Sequence, residues 1–266
     1  MADKTAIEWT NATWNPVTGC TKISPGCDHC YAERFSERFR GVPNHPFESG
    51  FDLALRPERL EQPLKWRKSK MIFVNSMSDL FHKEIPKSYI DQVFDTMEQA
   101  DWHVFQVLTK RSTLMKKYVN DRYGPNSEAP AHIWLGTSVE DHPQKSRIRH
   151  VRDMRATVRF LSFEPLIGHL GHLDLQGIHW VIVGGESGPR HRPIEEQWVL
   201  SIRDQCIAQG VAFFFKQWGG ARPKSGGRLL HNHEYSEFPD ITHALTEDYW
   251  NDDNLQSRWE SRALGD

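Results

Sequence analysis

Residues 180–188 read WVIVGGESG, an apolar run that gives way at once to glycine and polar residues. Consecutive apolar side chains without alternation are typical of a parallel strand that is buried on both faces. A glycine-rich polar segment directly after such a strand is typical of the carboxyl end of a parallel sheet, where ligands bind. This stretch therefore predicts a buried strand that leads into a ligand-facing loop.

The same pattern recurs along the chain at spacings of roughly 20 to 32 residues, which suits repeated strand–helix units. The other apolar runs occupy residues 71–74, 104–108, 133–135, 158–161 and 211–215, and a further strand is expected near residues 7–13. Apolar residues at helical spacing lie between some of them, at Ile90, Val93, Phe94 and Met97 and at Trp198, Val199, Ile202 and Cys206. We therefore predict an α/β protein, a partial or near-complete parallel (β/α) barrel of six to seven units.

The chain of 266 residues fits one barrel domain, since such domains commonly run to about 250 residues. We place the barrel, with an N-terminal cysteine loop, in residues 1–220. Residues 221–266 have weak periodicity, and we expect an irregular C-terminal segment that covers the barrel.

Composition narrows the classes of function. The formal net charge is -2 and the pI is near 6.7, so the chain lacks the overall basic field of an electrostatically driven nucleic-acid binder, although a local basic groove remains open. The N-terminus has no apolar leader, and no run reaches the roughly 18 apolar residues of a membrane span. We expect a cytoplasmic protein without membrane association.

Polar residues follow each apolar run, and the barrel fold would bring them to one edge of the sheet. Those of interest are Asn75, Ser76 and Asp79, Lys110 and Arg111, Ser138 and Glu140, Glu164, Glu186, and Lys216. We expect them to line one pocket. For a single cluster, ordinary loop polarity is an equally good explanation.

Three of the four cysteines, Cys20, Cys27 and Cys30, fall within eleven residues, in a loop that contains Gly and Pro. Three thiolates can bind a 4Fe-4S cluster with one iron left open, or zinc with a fourth ligand such as histidine; unliganded thiols are the remaining reading. Tyr31, Phe35 and Phe39 recur every four residues, which predicts a helix that starts near Cys30 and buries this stripe. Cys206 lies on the apolar face of a helix and is expected to be an inert core residue.

The motifs around these cysteines resemble a phage-associated three-cysteine family that is related to radical S-adenosylmethionine (SAM) enzymes. The resemblance is carried by residues 14–20, 27–33, 75–82, 136–141, 163–165 and 183–188, which read WNPVTGC, CDHCYAE, NSMSDLFH, GTSVED, FEP and VGGESG. It implies a radical-SAM-like partial barrel, a 4Fe-4S cluster on Cys20, Cys27 and Cys30, and SAM as ligand of the open iron. The wider superfamily spaces its cysteines C-x3-C-x2-C with an aromatic residue before the third, whereas this chain has C-x6-C-x2-C and His29.

The superfamily also places a Gly-Gly-Glu turn after its second strand, where it holds the SAM amino group. In this chain that tripeptide follows the sixth expected strand, so we do not transfer the role to Glu186. Asp79 or Ser76 could accept a hydrogen bond from the ammonium group instead, and Ser138 and Glu140 could bind the ribose hydroxyls. The expected SAM-binding residues are Asn75, Ser76, Asp79, Ser138 and Glu140, and the expected catalytic residues are Asp79, Lys110, Glu164, Glu186 and Lys216.

Two functions of different class follow. In the first, the chain is a radical-SAM-type enzyme that cleaves SAM reductively and acts on an unknown substrate, with DNA or RNA among the candidates. A separate protein partner and an electron donor are candidate partners of this enzyme. In the second, it is a non-catalytic nucleic-acid-binding module stabilised by a metal or a cluster. That module would use Lys110, Arg111, Arg190, His191, Arg192 and Lys216 as a phosphate-binding rim, with Trp14, Trp134 or Trp218 as stacking surfaces.

Overall fold

The computed structural model of the chain describes residues 5–240. Seven parallel strands form one sheet that curls into a half-barrel, in the order β1-β4-β5-β6-β7-β8-β9. These strands are β1 (Ala12–Trp14), β4 (Met71–Val74), β5 (Val104–Thr109), β6 (Ala129–Ser138), β7 (Ala156–Phe163), β8 (Trp180–Gly184) and β9 (Ala212–Gln217). Two further short strands, β2 (Val17–Thr18) and β3 (Ala54–Leu55), pair antiparallel. The predicted partial (β/α) barrel is confirmed.

Five α-helices lie among the described residues: α1 (Tyr31–Glu37), α2 (Lys87–Gln99), α3 (Ser112–Tyr123), α4 (Ser146–Arg152) and α5 (Glu196–Ala208). The helical spacing after Pro86 and that around Ile202 predicted α2 and α5. Residues 164–179 between β7 and β8 contain no α-helix, so the strand–helix repeat is broken there.

The prediction for α1 was wrong in one respect. Its aromatic stripe is not buried: Tyr31 is 52% exposed and Phe35 is 44% exposed, while the buried side consists of Ala32 and Ser36. Phe35 and Phe39 instead pack edge to face on each other at the surface, with ring centroids 5.2 Å apart. The helix is only seven residues long, so it presents a short face to the sheet.

The side chains of the strands alternate between two separate apolar clusters. One cluster lies on the side of the sheet that faces the helices, and it includes Ile72, Val74 and the buried Cys206. The opposite face carries an aromatic cluster that includes Trp134, Phe160 and Trp180. Trp180 lies within 6.1 Å of the ring centroids of Trp9, Trp134, Phe160, Phe214 and Phe238. This cluster fills the face of the half-barrel that has no helices.

Residues 221–240 contain no helix and lie beside β9. The Phe215 amide donates to the Tyr235 carbonyl at 3.0 Å, and Phe238 stacks on Trp180. The predicted irregular covering segment agrees with this part of the chain, while its remainder, residues 241–266, lies outside the described residues. No helix within residues 5–240 is long and apolar enough to cross a bilayer.

Candidate functional site

The polar residues predicted from the sequence lie at the carboxyl edge of the sheet. Asn75 follows β4, Lys110 follows β5 and Ser138 ends β6. Glu164 and Glu186 come after β7 and β8, and Lys216 is next to last in β9. Because these neighbouring strands are parallel, their carboxyl ends share one edge.

The cysteine loop begins at this edge. Gly19 forms a bridge with Ser78, just after β4, and its amide donates to the Met77 carbonyl at 3.0 Å. The chain then makes a 3-10 turn at Pro25–Cys27, and Cys30 is the N-cap of α1. Cys20, Cys27 and Cys30 are all partly exposed and form no disulfide. All three thiols therefore remain available as ligands.

Cys20 is joined to the end of β5 through Arg111. The Arg111 Nη1 donates to Cys20 Sγ at 3.3 Å and to Asp79 Oδ2 at 2.9 Å, while Nη2 donates to the Thr21 carbonyl at 2.9 Å. Burial and the charge of Asp79 raise the pKa of the Cys20 thiol, and the Arg111 guanidinium opposes both. A bound metal or cluster would reverse this by stabilising the thiolate.

The middle of the loop packs on Glu140. The Ser24 hydroxyl donates to Glu140 Oε1 at 2.7 Å, and Arg147 Nη1 donates to Oε2 at 2.8 Å. Lys110 Nζ lies 3.5 Å from Oε1. A Cβ added at Gly26 would lie only 2.2 Å from Glu140 Cγ, so the residue before Cys27 must be glycine for this approach. Glu140 is fully buried and has two cationic partners, as a buried carboxylate requires.

The end of the loop is held by Glu186. His29 Nδ1 lies 2.9 Å from Glu186 Oε2, and Arg192 Nη2 donates to Oε1 at 2.6 Å. The same Arg192 nitrogen donates to the Pro25 carbonyl at 2.9 Å. Burial alone would raise the pKa of the Glu186 carboxyl, but the hydrogen bonds from Arg192 and His29 outweigh it and lower the pKa to about 2. Glu186 is thus a permanent anion at neutral pH.

Glu164 and Lys216 form a separate pair. Lys216 Nζ donates to Glu164 Oε1 at 2.5 Å, and both side chains are less than one-fifth exposed. This pair is not tied to the cysteine loop by a hydrogen bond among the described residues.

Several of the predicted SAM-binding groups are already engaged by the protein. The two Asp79 oxygens accept from four donors: the Phe81 and Lys110 amides, Thr109 and Arg111. Ser76 bonds to Asn15 at 3.2 Å. By contrast, the buried Asn75 Nδ2 has no hydrogen-bond partner among the described residues. This side chain keeps polar capacity for a ligand.

Most of the residues expected to bind nucleic acid are buried or are paired with carboxylates. Trp14 and Trp134 are completely buried, so they cannot stack on bases, and Trp218 packs edge to face on Phe215. Four of the six expected phosphate-binding cations form ion pairs with carboxylates at the edge: Lys110, Arg111, Arg192 and Lys216. Arg190 and His191 are exposed.

The three thiols of the cysteine loop are the candidate ligands for a metal or a cluster. Within residues 5–240, no three His, Cys, Asp or Glu side chains converge as they would around a single ion. Three partly exposed thiols lie on one loop, and one of them accepts a hydrogen bond from an arginine.

Sequence reasoning missed Ser24, Gly26 and Arg147 as members of this edge, and it assigned Arg192 only to a phosphate-binding rim. Gly26, adjacent to Cys27, was the available signal, since a glycine beside a ligand often marks a close approach. Arg147 gave none, because its partner Glu140 lies seven residues earlier, in the loop after β6, rather than on the same helix.

Comparison with known proteins places the chain in a family but not in an activity. No curated protein and no solved structure matches it. A family model described as "Protein of unknown function (DUF5131)" matches residues 4–239. The chain therefore belongs to the DUF5131 family.

Proposed function

We propose that this protein is a radical-SAM-type iron–sulfur enzyme. Cys20, Cys27 and Cys30 bind one 4Fe-4S cluster, and SAM binds at the iron that lacks a cysteine ligand. The substrate is unknown, and DNA or RNA is a candidate. The proposal joins the resemblance of the cysteine motifs to the geometry of the loop.

One observation carries the proposal: the cysteine loop is tied to three strand ends through three buried carboxylates. Asp79 acts through Arg111, Glu140 binds Ser24, and Glu186 binds His29. Each carboxylate is paired with an arginine, as a buried charge requires, and each also makes a contact with the loop directly or through that arginine. The anchors hold the cysteines against the edge where parallel sheets bind ligands.

The free groups at this edge supply candidate contacts. Asn75 Nδ2 lacks a partner and is a donor suited to the SAM carboxylate, and the Ser138 hydroxyl is suited in kind to the ribose. Asp79, Glu140 and Glu186 then position the loop rather than touch SAM. Lys110, Glu164 and Lys216 remain candidates for contact with the substrate.

When bound and reduced, such a cluster would supply the single electron for cleavage of SAM to methionine and 5′-deoxyadenosine, with the substrate as the source of the hydrogen atom. The chain's own residues bind and orient SAM and exclude water, which is the usual contribution of protein to cofactor chemistry. The Glu164–Lys216 pair joins a carboxylate to an ammonium group, so it can bind either a donor or an acceptor group of the substrate.

The first test is elemental analysis of anaerobically purified protein. We expect about four irons and four sulfides per chain, with a broad absorbance near about 400 nm. Cys27→Ala should lose both, while Cys206→Ser should keep them because Cys206 is a core residue. Stoichiometric zinc without sulfide would contradict the cluster.

The second test addresses SAM. Cluster-loaded protein reduced with dithionite should form 5′-deoxyadenosine from SAM, and Cys27→Ala should not. A cluster without this product, and without any effect of SAM on its electron paramagnetic resonance spectrum, would leave the non-catalytic binding module as the better proposal.

A further inference from the structure

The exposed aromatic face of α1 is continuous with other rings at the surface. Tyr31 and Phe35 are both exposed, and they lie opposite the side of the helix that is buried. Phe35 packs on Phe39 and on Phe47, with ring centroids 5.2 and 5.7 Å apart. Aromatic rings that lie together at the surface are typical of a site that binds a partner.

Two arginines share this face with the rings. Residues three, four and seven positions apart lie on one side of a helix, so Arg34 and Arg38 stand beside Tyr31 and Phe35. Arg38 is the C-cap of α1 and keeps helical backbone angles, with φ -63° and ψ -23°. Rings and guanidinium groups therefore alternate along the exposed side of the helix.

The charges of these two arginines are not neutralised by carboxylates of the chain. Arg38 is exposed, and neither Arg34 nor Arg38 forms an ion pair with any residue in the range 5–240. The carboxylates of α1, Glu33 and Glu37, lie on another side of the helix, and each is paired there with a lysine or an arginine. The side that carries the rings is thus cationic.

The loop after β8 extends the cationic side. Arg34 Nη2 donates to the Ser187 carbonyl at 3.1 Å, and an added Cβ at Gly188 would lie only 2.0 Å from Arg34 Nη1. Gly188 opens a turn, closed by an amide-to-carbonyl hydrogen bond of 3.0 Å, that contains the exposed Arg190. No Asp or Glu occurs in residues 187–194, and Arg190 forms no ion pair with another described residue.

This surface adjoins the edge of the sheet where the polar residues gather. The Tyr31 hydroxyl donates to the Ser76 carbonyl, in the loop after β4, while Arg34 reaches Ser187 in the loop after β8. The helix therefore spans from one strand end to another. A polymer bound along it would pass beside the candidate site.

Exposed rings combined with unpaired arginines favour one class of partner. Single-stranded nucleic acids stack their bases on aromatic side chains while cations contact the phosphates. Guanidinium groups suit phosphate because they bind it in a bidentate geometry. A duplex keeps its bases stacked on one another, and acidic side chains of a protein offer no ring to stack, so neither would use both features.

We propose that the exposed face of α1, comprising Tyr31, Arg34, Phe35 and Arg38 together with Arg190, binds single-stranded nucleic acid. Bases stack on the two rings, and phosphates contact the three arginines. As a statement of substrate class the inference rests on the proposed function, whereas the binding itself needs no cluster.

The first test measures stacking. The full chain is titrated with a fluorescently labelled single-stranded oligonucleotide of about 16 nucleotides, and fluorescence anisotropy reports binding. We expect Phe35→Ala to weaken binding about fivefold or more, because a base loses its stacking surface. Phe35→Tyr keeps a ring and should bind as the parent does. Ile207→Ala, which removes an apolar side chain that is 64% exposed on α5, should also bind as the parent does.

The second test measures phosphate contacts through salt dependence. For a single strand, the logarithm of the binding constant falls with the logarithm of salt concentration by about 0.7 for each phosphate contact. We expect Arg38→Gln to reduce this slope by about 0.7, whereas Phe35→Ala should weaken binding at every salt concentration and leave the slope unchanged. Arg67→Gln is the matched control, because Arg67 is also exposed and without an ion pair to any described residue, but it precedes β4 at the opposite edge. Its slope should equal that of the parent.

Four results would each overturn the inference. The first is the absence of oligonucleotide binding at low salt. The second is an affinity that neither Phe35→Ala nor Arg38→Gln changes. The third is equal affinity for the single strand and for a duplex of the same sequence. The fourth is a polyglutamate chain that binds as tightly as the oligonucleotide and is weakened equally by Phe35→Ala, which would indicate an acidic protein partner.

Iron and sulfide, measured on the same preparations, separate this inference from the proposed function. Protein that holds a cluster but does not bind the oligonucleotide through the exposed face of α1 defeats the inference alone. Protein that binds through this face but never holds a cluster defeats the proposed function and leaves the binding in place.

Discussion

Individual side chains at the carboxyl edge hold the cysteine loop in position. The loop has little regular structure, so its three sulfurs depend on such contacts for their placement. Glu186 is the clearest case. Its two oxygens accept from His29, inside the cysteine loop, and from Arg192, which also reaches the Pro25 carbonyl. One carboxylate thereby links the strand end after β8 to both ends of the segment from Pro25 to His29.

The depressed pKa of Glu186, about 2 in the folded protein, has a testable consequence for stability. Because the folded pKa lies below the unfolded value, the stabilisation is fully present above about pH 4.5 and is lost as the pH falls toward 2. We expect Glu186→Gln to lower the free energy of unfolding by about 1–3 kcal/mol at pH 7. The difference from the parent should shrink steadily below about pH 4.5, as measured by chemical denaturation at several pH values.

Glu195→Gln is the matched control, because Glu195 is exposed and makes no side-chain hydrogen bond or ion pair with another described residue. Its effect on the free energy of unfolding at pH 7 should be within about 0.5 kcal/mol. A difference between parent and Glu186→Gln that stays constant from pH 7 down to pH 3 would contradict the depressed pKa.

At the scale of elements, the cysteine loop is positioned by contacts with loops from other parts of the chain. Gly26 lies against the Glu140 side chain, and the Pro25 carbonyl accepts a hydrogen bond from Arg192. The 3-10 turn at Pro25–Cys27 therefore has little freedom to move away from the sheet edge.

Gly26→Ala tests this packing. Because the new Cβ would overlap Glu140, the turn must shift, and we expect a loss of about 1–3 kcal/mol in stability together with a reduced iron and sulfide content. Gly168→Ala is the control, since its Cβ would make an ordinary 3.6 Å contact with Asp141. Full cluster content in Gly26→Ala would show that the turn does not depend on its contact with Glu140.

At the scale of the whole molecule, stability depends on the aromatic cluster that fills the helix-free face of the half-barrel. Trp180 is completely buried and lies at its centre. We expect Trp180→Ala to lower the free energy of unfolding by about 3–5 kcal/mol, because a large cavity would open against five aromatic neighbours. Equilibrium denaturation measures this, with the exposed Ile207→Ala as the control, expected within about 0.5 kcal/mol.

The apolar runs predicted the strands well because a strand buried on both faces has no polar position to interrupt it. Residues 71–74 match β4, and the spacing of Ile90 and Met97 matches α2. The stripe of Tyr31 and Phe35 was misleading, since helical spacing specifies a shared face but not whether anything covers that face. Stacking by Trp14 and Trp134 was wrong for the opposite reason, because the sequence carries no direct measure of burial.

The sequence determined the order of strands and helices, the edge at which the polar residues gather and the three-cysteine loop, because each depends on local patterns and on the rule that parallel strands end together. Only the tertiary structure decided which of those polar residues are free. Ser24 and Glu140 are 116 residues apart, and His29 and Glu186 are 157 apart, yet both pairs are in hydrogen-bond contact. Such pairings arise when the curled sheet brings distant loops together, and no local pattern encodes them.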